Sequence, residues 1–246
     1  MIYITGDKHA DFYEVCCFCK KEKTNISDLM IILGDAGINY FNDPRDYKLK
    51  KELSECNITF FCVHGNHEER PEKIKTYKTK EFHNGIVYYE EEYPNILFAK
   101  DGEVYSLNNK SVLVIGGAYS IDKEYRIKYG YCWYETEQPN ADIKKRVFKA
   151  IKNNNNDIDI VLSHTCPYKY MPREVFMSGV DQSKVDYSTE KFLDEVEKKL
   201  NYKKWYCGHF HTEKQIDKIK VVSIAPLFAE AIKRINESKP LGDLFE

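Results

Sequence analysis

The chain reads as an α/β protein built as one domain, and three observations carry that expectation. Short apolar runs alternate with amphipathic stretches, the pattern of strands followed by helices. A length of 246 residues suits one such domain without division. Apolar content of 42 % beside 31 % charged residues supplies an ample core and matches ordinary globular chains.

The elements follow in order. Ile2–Thr5 reads as the first strand, and Ala10–Lys23 as a helix with Phe12, Val15, Cys16 and Cys19 on one face. Leu29–Leu33 is a buried strand. Asp43 caps the next helix and Pro44 opens it, where its missing N–H costs nothing. Ile58–Val63 is a third strand. The middle is β-rich, with short runs at Ile86–Tyr89, Ile96–Ala99, Glu103–Leu107 and Ser111–Ile115. Asn108-Asn109 marks a hairpin turn, and the region reads as a second, more antiparallel sheet. A helix from about Pro139 to Lys152 precedes strand Ile158–Leu162, and a helix over about Thr189–Leu200 precedes strand Trp205–Cys207. A hairpin of Glu213–Asp217 with Val221–Ile224 closes a domain expected to span 1–235, with 236–246 as a surface tail.

Composition narrows the function classes. A net charge of −2 gives no global pull toward nucleic acid or acidic membranes, and it counts against stable duplex binding. No apolar stretch approaches the roughly 20 residues of a membrane span. Met1–Thr5 runs straight into a strand, with no leader expected. Of eight cysteines, Cys16, Cys17 and Cys19 share one expected helix while Cys62 and Cys207 sit in apolar runs. Reduced thiols in a cytoplasmic protein are therefore expected. Cys16 and Cys19 have CxxC spacing without a second pair, so zinc is not expected there.

Five motifs lie at the exits of apolar runs: Gly6-Asp7-Lys8-His9, Gly34-Asp35, Gly65-Asn66-His67-Glu68, Ser163-His164 and Gly208-His209-Phe210-His211. They hold five of the seven histidines; His64 reads as structural or supporting, and His83 as surface. Ligands of α/β sheets gather where loops leave the carboxyl ends of strands. Asp7/His9 and His209/His211 are i, i+2 pairs, which share a face in extended backbone. So many carboxylate, amide and imidazole donors exceed one four-coordinate zinc. They suit two adjacent divalent ions, which can clamp both oxygens of an in-line phosphoryl displacement.

The ordered set DxH, GD, GNHE, H, GHxH resembles the calcineurin-like metallophosphoesterase superfamily, in particular its small bacterial and phage members, over Gly6 to His211. That resemblance implies two mixed β-sheets packed as a sandwich and flanked by α-helices, the four-layer fold of that family. It implies one ion held by Asp7, His9, Asp35 and His211 and another held by Asp35, Asn66, His164 and His209, with Asp35 bridging. All eight coordinating positions are filled, Asp35 counted twice. The implied chemistry is hydrolysis of a phosphomonoester or phosphodiester by metal-bound hydroxide, with His67 as general acid or charge stabiliser. Mn²⁺ is the expected ion, with Fe, Zn²⁺ or Ni²⁺ also compatible. Substrates would be a phosphorylated small molecule, a nucleotide or a phosphoprotein. Two alternatives stay open: a nuclease or cyclic-nucleotide-type phosphodiesterase, and a non-catalytic module that binds a phospho-ligand.

The chain departs from the family's GDxxDRG pattern. Ile38 replaces the carboxylate that would orient the catalytic histidine, and Asn39 replaces the phosphate-binding arginine. This counts against a dedicated protein phosphatase and leaves Asp43 or a backbone carbonyl to orient His67. Two regions are candidates for substrate choice. One is the aromatic, charged run from Gly116 to Tyr134, with Arg126 as a bidentate phosphate partner, Lys123 as a point charge and its tyrosines as stacking surfaces. The other follows His164, where Lys169 or Arg173 could reach substrate.

Overall fold

The computed structural model describes residues 1–223. Two mixed six-stranded sheets pack face to face between helical layers. The first sheet runs β1 (Ile2–Thr5), β2 (Leu29–Ile32), β3 (Thr59–Cys62), β6 (Tyr93–Ala99), β5 (Gly85–Glu90), β4 (Lys78–Phe82). Its first four members are parallel, and β5 and β4 return antiparallel. The second sheet runs β11 (Lys214–Ile216), β12 (Ile219–Val221), β10 (Asn201–Cys207), β9 (Asp157–Ser163), β8 (Lys110–Ile115), β7 (Val104–Leu107). Here β12, β10, β9 and β8 are parallel, and β11 and β7 pair antiparallel at the edges.

Alternation within buried strands builds the layers. Leu29, Ile31, Phe61, Leu97, Val112, Val114 and Leu162 fill the space between the sheets. Their neighbours Met30, Ile32, Phe60 and Cys62 turn outward and pack with Val15 and Cys19 of α1 (Tyr13–Glu22) and Leu53 of α2 (Pro44–Ser54). On the other side Leu113, Ile115, Val161 and Trp205 meet Ile143 and Val147 of α4 (Ala141–Asn153) and Phe192 and Val196 of α5 (Ser188–Lys199). Both strand faces are apolar, so the runs read as continuous rather than alternating.

The structure corrects several expectations. The β-rich middle is not one sheet: β4 to β6 extend the first sheet and β7 and β8 belong to the second. The edge strand β4 (Lys-Thr-Lys-Glu-Phe) went unread because its polar, mostly exposed residues carry no apolar signal. α1 starts at Tyr13 rather than Ala10, because His9 (φ 44°) and Ala10 (φ 68°) are left-handed and cannot begin a right-handed helix. β10 begins four residues before Trp205, pairing Asn201 with Asp157. The run read as a loop contains α3 (Lys123–Tyr129), closed by left-handed Gly130. Other expectations hold: Asp43 caps α2 by accepting from the Arg45 N–H, and Asn108 (φ 48°) and Asn109 (φ 58°) turn the β7–β8 hairpin. The eight cysteines are all unpaired. The closing hairpin is present as β11 and β12, but its second arm is Ile219–Val221 rather than Val221–Ile224; Ile224, the domain limit at 235 and the 236–246 tail lie outside the described residues. Among the described residues no helix is long and apolar enough to cross a membrane.

A buried ion pair fastens the loops below the strand ends. Arg70 pairs with Asp101, both nearly inaccessible, and its Nε donates to the Thr136 carbonyl at 2.7 Å. Asp101 also accepts from the Gly116 N–H at 2.6 Å, so one carboxylate ties segments from both sheets. Replacing Arg70 by Met strands that carboxylate, and we expect a loss of about 3–5 kcal/mol in urea unfolding with an unchanged m-value. A loss below about 1 kcal/mol would mean that the pair is not a structural tie.

Candidate metal centre

Parallel pairing brings the five motifs to one end of the sandwich. Asp7 and His9 follow β1, Asp35 follows β2, Asn66 and His67 follow β3, His164 follows β9, and His209 and His211 follow β10. Three loops come from one sheet and two from the other, so the cluster straddles the seam between them. The backbone there is strained. His9, Asp35 (φ 46°), His209 (φ 68°) and His211 (φ 49°) are all left-handed, at about 1–3 kcal/mol each. Gly34 (φ 94°) has no alternative, because a Cβ there would sit 2.0 Å from His164 Nδ1. At Gly65 a Cβ would sit 2.0 Å from Asp35 Oδ1, so only glycine allows the two loops to touch.

Donor atoms of Asp7, His9 and His211 lie within 4.8 Å of one another, as do those of Asp7, His164 and His209, and those of His9, Asp35 and His67. Asp35 Oδ2 is 3.6 Å from His164 Nε2 and 4.0 Å from His9 Nε2, so it stands between the two halves. His9 Nε2 and His211 Nε2 are 3.1 Å apart. Asp7 also reaches both halves: its Oδ1 accepts the His209 N–H at 2.7 Å. Its buried Oδ2, 3.3 Å from His211 Nε2, has no partner at hydrogen-bond geometry.

The decisive contact is between His164 and Asn66. His164 Nδ1 lies 2.8 Å from the Leu33 carbonyl and its Nε2 lies 2.7 Å from Asn66 Oδ1. The Asn66 amide N–H donates to Ser120 Oγ at 2.9 Å, so its oxygen is the atom facing the histidine. A neutral imidazole has one proton and cannot serve both oxygens. In the tautomer whose proton lies on the Leu33 carbonyl, the one that leaves Nε2 free to bind a metal, Nε2 and Asn66 Oδ1 turn two lone pairs to the same point in a fully buried place. A cation shared by both relieves the conflict. The residues present therefore fit divalent metal ions.

Titration shifts reflect the crowding of carboxylates and imidazoles. Burial pushes the Asp7 carboxyl up, but His164, His211 and His209 outweigh it and hold the group below the usual carboxylate range. Burial likewise opposes ionisation of Asp35, and His164 and His67 prevail. Burial lowers His209 to about 3, which keeps the ring neutral with one nitrogen free to bind. The neighbouring Asp7 carboxylate raises His211.

Glu68, quoted in a motif but given no role by the sequence, is the brace. It is fully buried, and its oxygens accept from the Gly65 N–H at 3.1 Å and the Gly37 N–H at 3.2 Å, clamping the loop after β3 to the loop after β2. Burial lifts its carboxyl to about 8.

His67 is oriented by neither Asp43 nor a carbonyl. Asp43 is occupied by Arg45 at the start of α2. Arg126 Nη2 lies 2.6 Å from His67 Nδ1 instead, with its Nε on Asp122 at 2.7 Å. A guanidinium only donates, so Nδ1 accepts and the ring proton sits on Nε2. Burial and the nearby guanidinium both lower the His67 pKa, against the pull of Asp35, which favours a neutral ring over the protonated one expected from sequence. Arg126 is thus drawn to a histidine, and no local signal marks that role. Asn39 and Ile38 are both fully buried, with Asn39 accepting from the Tyr77 hydroxyl at 2.9 Å and Ile38 in the core.

The other candidate cations are elsewhere engaged. Lys123 Nζ sits 4.2 Å over the Trp133 ring. Lys169 pairs with Glu197 at 2.9 Å, and Arg173 lies 4.8 Å over the Tyr168 ring. Neither Lys169 nor Arg173 is brought to the cluster. The exposed Tyr125, Tyr129 and Tyr131 pack on one another away from it. His64 is buried beneath the site and His83 is exposed, as the sequence suggested. A cavity of about 580 Å³ opens beside the cluster, reaching His9, Asp35, Asn66, His67, His209 and His211.

A family model for calcineurin-like phosphoesterase matches residues 1–213. Among solved structures, TT1561 of Thermus thermophilus is similar with a TM-score of 0.48 and 15 % identity, over 89 % of this chain and 87 % of that one. The phosphopantetheinyl hydrolase of Mycobacterium tuberculosis is similar with a TM-score of 0.39 and 12 % identity, over 90 % and 87 %. A short segment is 59 % identical over 34 residues to the ribose-phosphate pyrophosphokinase of Clostridium acetobutylicum, covering 14 % of this chain and 11 % of that protein. The enzyme of the same name from Caldanaerobacter subterraneus subsp. tengcongensis is 67 % identical over 33 residues, covering 13 % and 10 %. The chain spans about a tenth of the length of these curated relatives.

Gly34→Ala tests how the cluster is held. The added methyl must displace the His164 ring, so we expect metal content measured by atomic emission to fall while far-ultraviolet circular dichroism is kept. Unchanged metal content would show that His164 is not needed to hold an ion.

Proposed function

We propose, for a chain that belongs to the calcineurin-like phosphoesterase family, that it hydrolyses a phosphomonoester or phosphodiester at two divalent ions. The observation that carries this reading is the convergence of His164 Nε2 and Asn66 Oδ1, 2.7 Å apart, beside an unpartnered Asp7 oxygen. Asp7, His9, Asp35 and His211 would hold one ion. Asp35, Asn66, His164 and His209 would hold the other. Carboxylate, amide and imidazole donors favour Mn²⁺, with Fe, Zn²⁺ or Ni²⁺ as further occupants. When bound, such ions polarise a phosphoryl oxygen and bring the pKa of water toward neutrality.

The chain's own residues supply the rest. His67 presents its Nε2–H toward the cavity and donates to the leaving oxygen, which stabilises the charge that develops there. Arg126 is a positioning residue: it donates to Nδ1 and so places the ring proton on Nε2, orienting the ring where a GDxxDRG pattern would use an accepting carboxylate. Asn66 and Ser120 set the amide so that oxygen faces inward. Substrates are phosphorylated small molecules, nucleotides or phosphoproteins. Eight unpaired thiols support a cytoplasmic setting.

Metal-stripped protein resupplied with Mn²⁺ should release p-nitrophenol from p-nitrophenyl phosphate or its bis ester. Asp35→Asn should cut that rate by roughly three orders of magnitude or more, the scale of several kcal/mol of lost charge stabilisation. Wild-type turnover in that variant would end the assignment. His67→Asn should lower kcat about 10²- to 10⁴-fold with metal content unchanged. Metal loss instead would make His67 a ligand. Arg126→Met should cost about 10- to 100-fold in kcat with little change in KM.

A further inference from the structure

We infer that the cavity beside the metal centre binds the alcohol portion of the phosphoester, and that this portion is an apolar group carrying a hydrogen-bond donor. The inference rests on the phosphoesterase reading above and names a substrate class for the same site.

Its first ground is the wall facing the cluster. Met171, Val175, Phe176 and Val185, from the segment between β9 and α5, line the cavity together with Phe210, which stands between His209 and His211. The Phe176 and Phe210 rings stack at 6.3 Å and 12°. The segment is anchored rather than free: Glu174 pairs with Lys214, and Tyr168 packs edge-on against Tyr187 at 5.4 Å. An alcohol leaving the phosphorus would enter an apolar, aromatic chamber already formed.

The second ground is independent of the wall. Glu190, in the first turn of α5, lines the same cavity while only 4 % exposed. Its Oε2 is buried and has no hydrogen-bond partner among the described residues. Burial raises the carboxyl to about 7 against the pull of the neighbouring Thr165 hydroxyl, which is itself without a partner at hydrogen-bond geometry. A buried acceptor left unmatched is costly, and a hydroxyl, amide N–H or ammonium on the ligand would satisfy it. The remaining charged side chains lining the cavity outside the cluster, Asp122 and Asp186, are also acidic. A second phosphate or a carboxylate on the alcohol would meet like charge there. The chamber is thus matched to a neutral or cationic apolar alcohol rather than to a polyphosphate.

The test uses the full Mn²⁺-loaded chain and three aryl esters: 4-methylphenyl, 4-(hydroxymethyl)phenyl and 4-(carboxymethyl)phenyl phosphate, with methyl phosphate as the small reference. We expect kcat/KM to rank hydroxymethyl above methyl by at least roughly tenfold, with the carboxymethyl ester last. A site built around a buried polar group strongly rejects analogues that lack its partner. Glu190→Leu should abolish the hydroxymethyl preference. Phe176→Ala should lower the ratio of 4-methylphenyl to methyl phosphate by about tenfold or more. In parallel, saturation-transfer NMR on metal-free protein should show 4-(hydroxymethyl)phenol bound, with a signal that Glu190→Leu diminishes. Hydrolysis that is indifferent to the alcohol, or that favours the carboxymethyl ester, overturns this inference and leaves the phosphoesterase reading intact. Bound alcohols with no hydrolysis of any ester overturn the inference through the reading on which it depends.

Discussion

The structure is organised around a crowd of nitrogen and oxygen donors held against one another at the seam between the sheets. His164 Nε2 and Asn66 Oδ1 meet at 2.7 Å where water is excluded, and His9 Nε2 and His211 Nε2 meet at 3.1 Å at the open side of the cluster. Side chains from five separate loops do not gather themselves at such distances. The scaffold does, by committing the other polar atoms of the buried members to fixed partners: Leu33 for His164, Ser120 for Asn66, the His209 N–H for Asp7. Left-handed backbone at four cluster residues is part of the same cost. Site and fold therefore work against each other locally, and buried layers on both faces of each sheet outweigh the difference.

That tension explains why the tie points lie just beneath the cluster. Glu68 clamps two of the loops to each other through paired backbone N–H groups. Arg70 and Asp101 lock the next tier, joining the loop after β3 to the segment after β8. Arg126 reaches across from α3 to settle the His67 tautomer. None of these three touches the proposed ions directly. Each removes a freedom that the clustered donors would otherwise have.

On the proposed reading, the chemistry and the specificity come from different parts of the fold. The donors sit at strand exits, rigid because both sheets end there. The apolar wall comes from the connection between β9 and α5, which returns over the mouth of the site. Such a division lets one metal-binding frame serve different alcohols by altering a single connection.

The sequence by itself marked the cluster. Asp7, His9, Asp35, Asn66, His67, His164, His209 and His211 were named from motifs because each occupies a short, local, strand-exit signature, and strand exits converge in any parallel sheet. The four-layer plan was legible as well, from the alternation of buried runs and amphipathic helices and from the family resemblance. What needed the tertiary structure were pairings between distant segments with no local signal. Arg126 meets His67 across 59 positions, although its sequence suggested a phosphate ligand. Lys169 and Arg173 lie near His164 in sequence but turn to Glu197 and Tyr168. The assignment of the β-rich middle to two sheets was equally hidden, because short strands specify their faces but not their neighbours. Local sequence decides which side chain stands at a strand end. Only the folded chain decides which other side chain it meets, because that contact depends on sheet order and on the angle at which each loop leaves its strand.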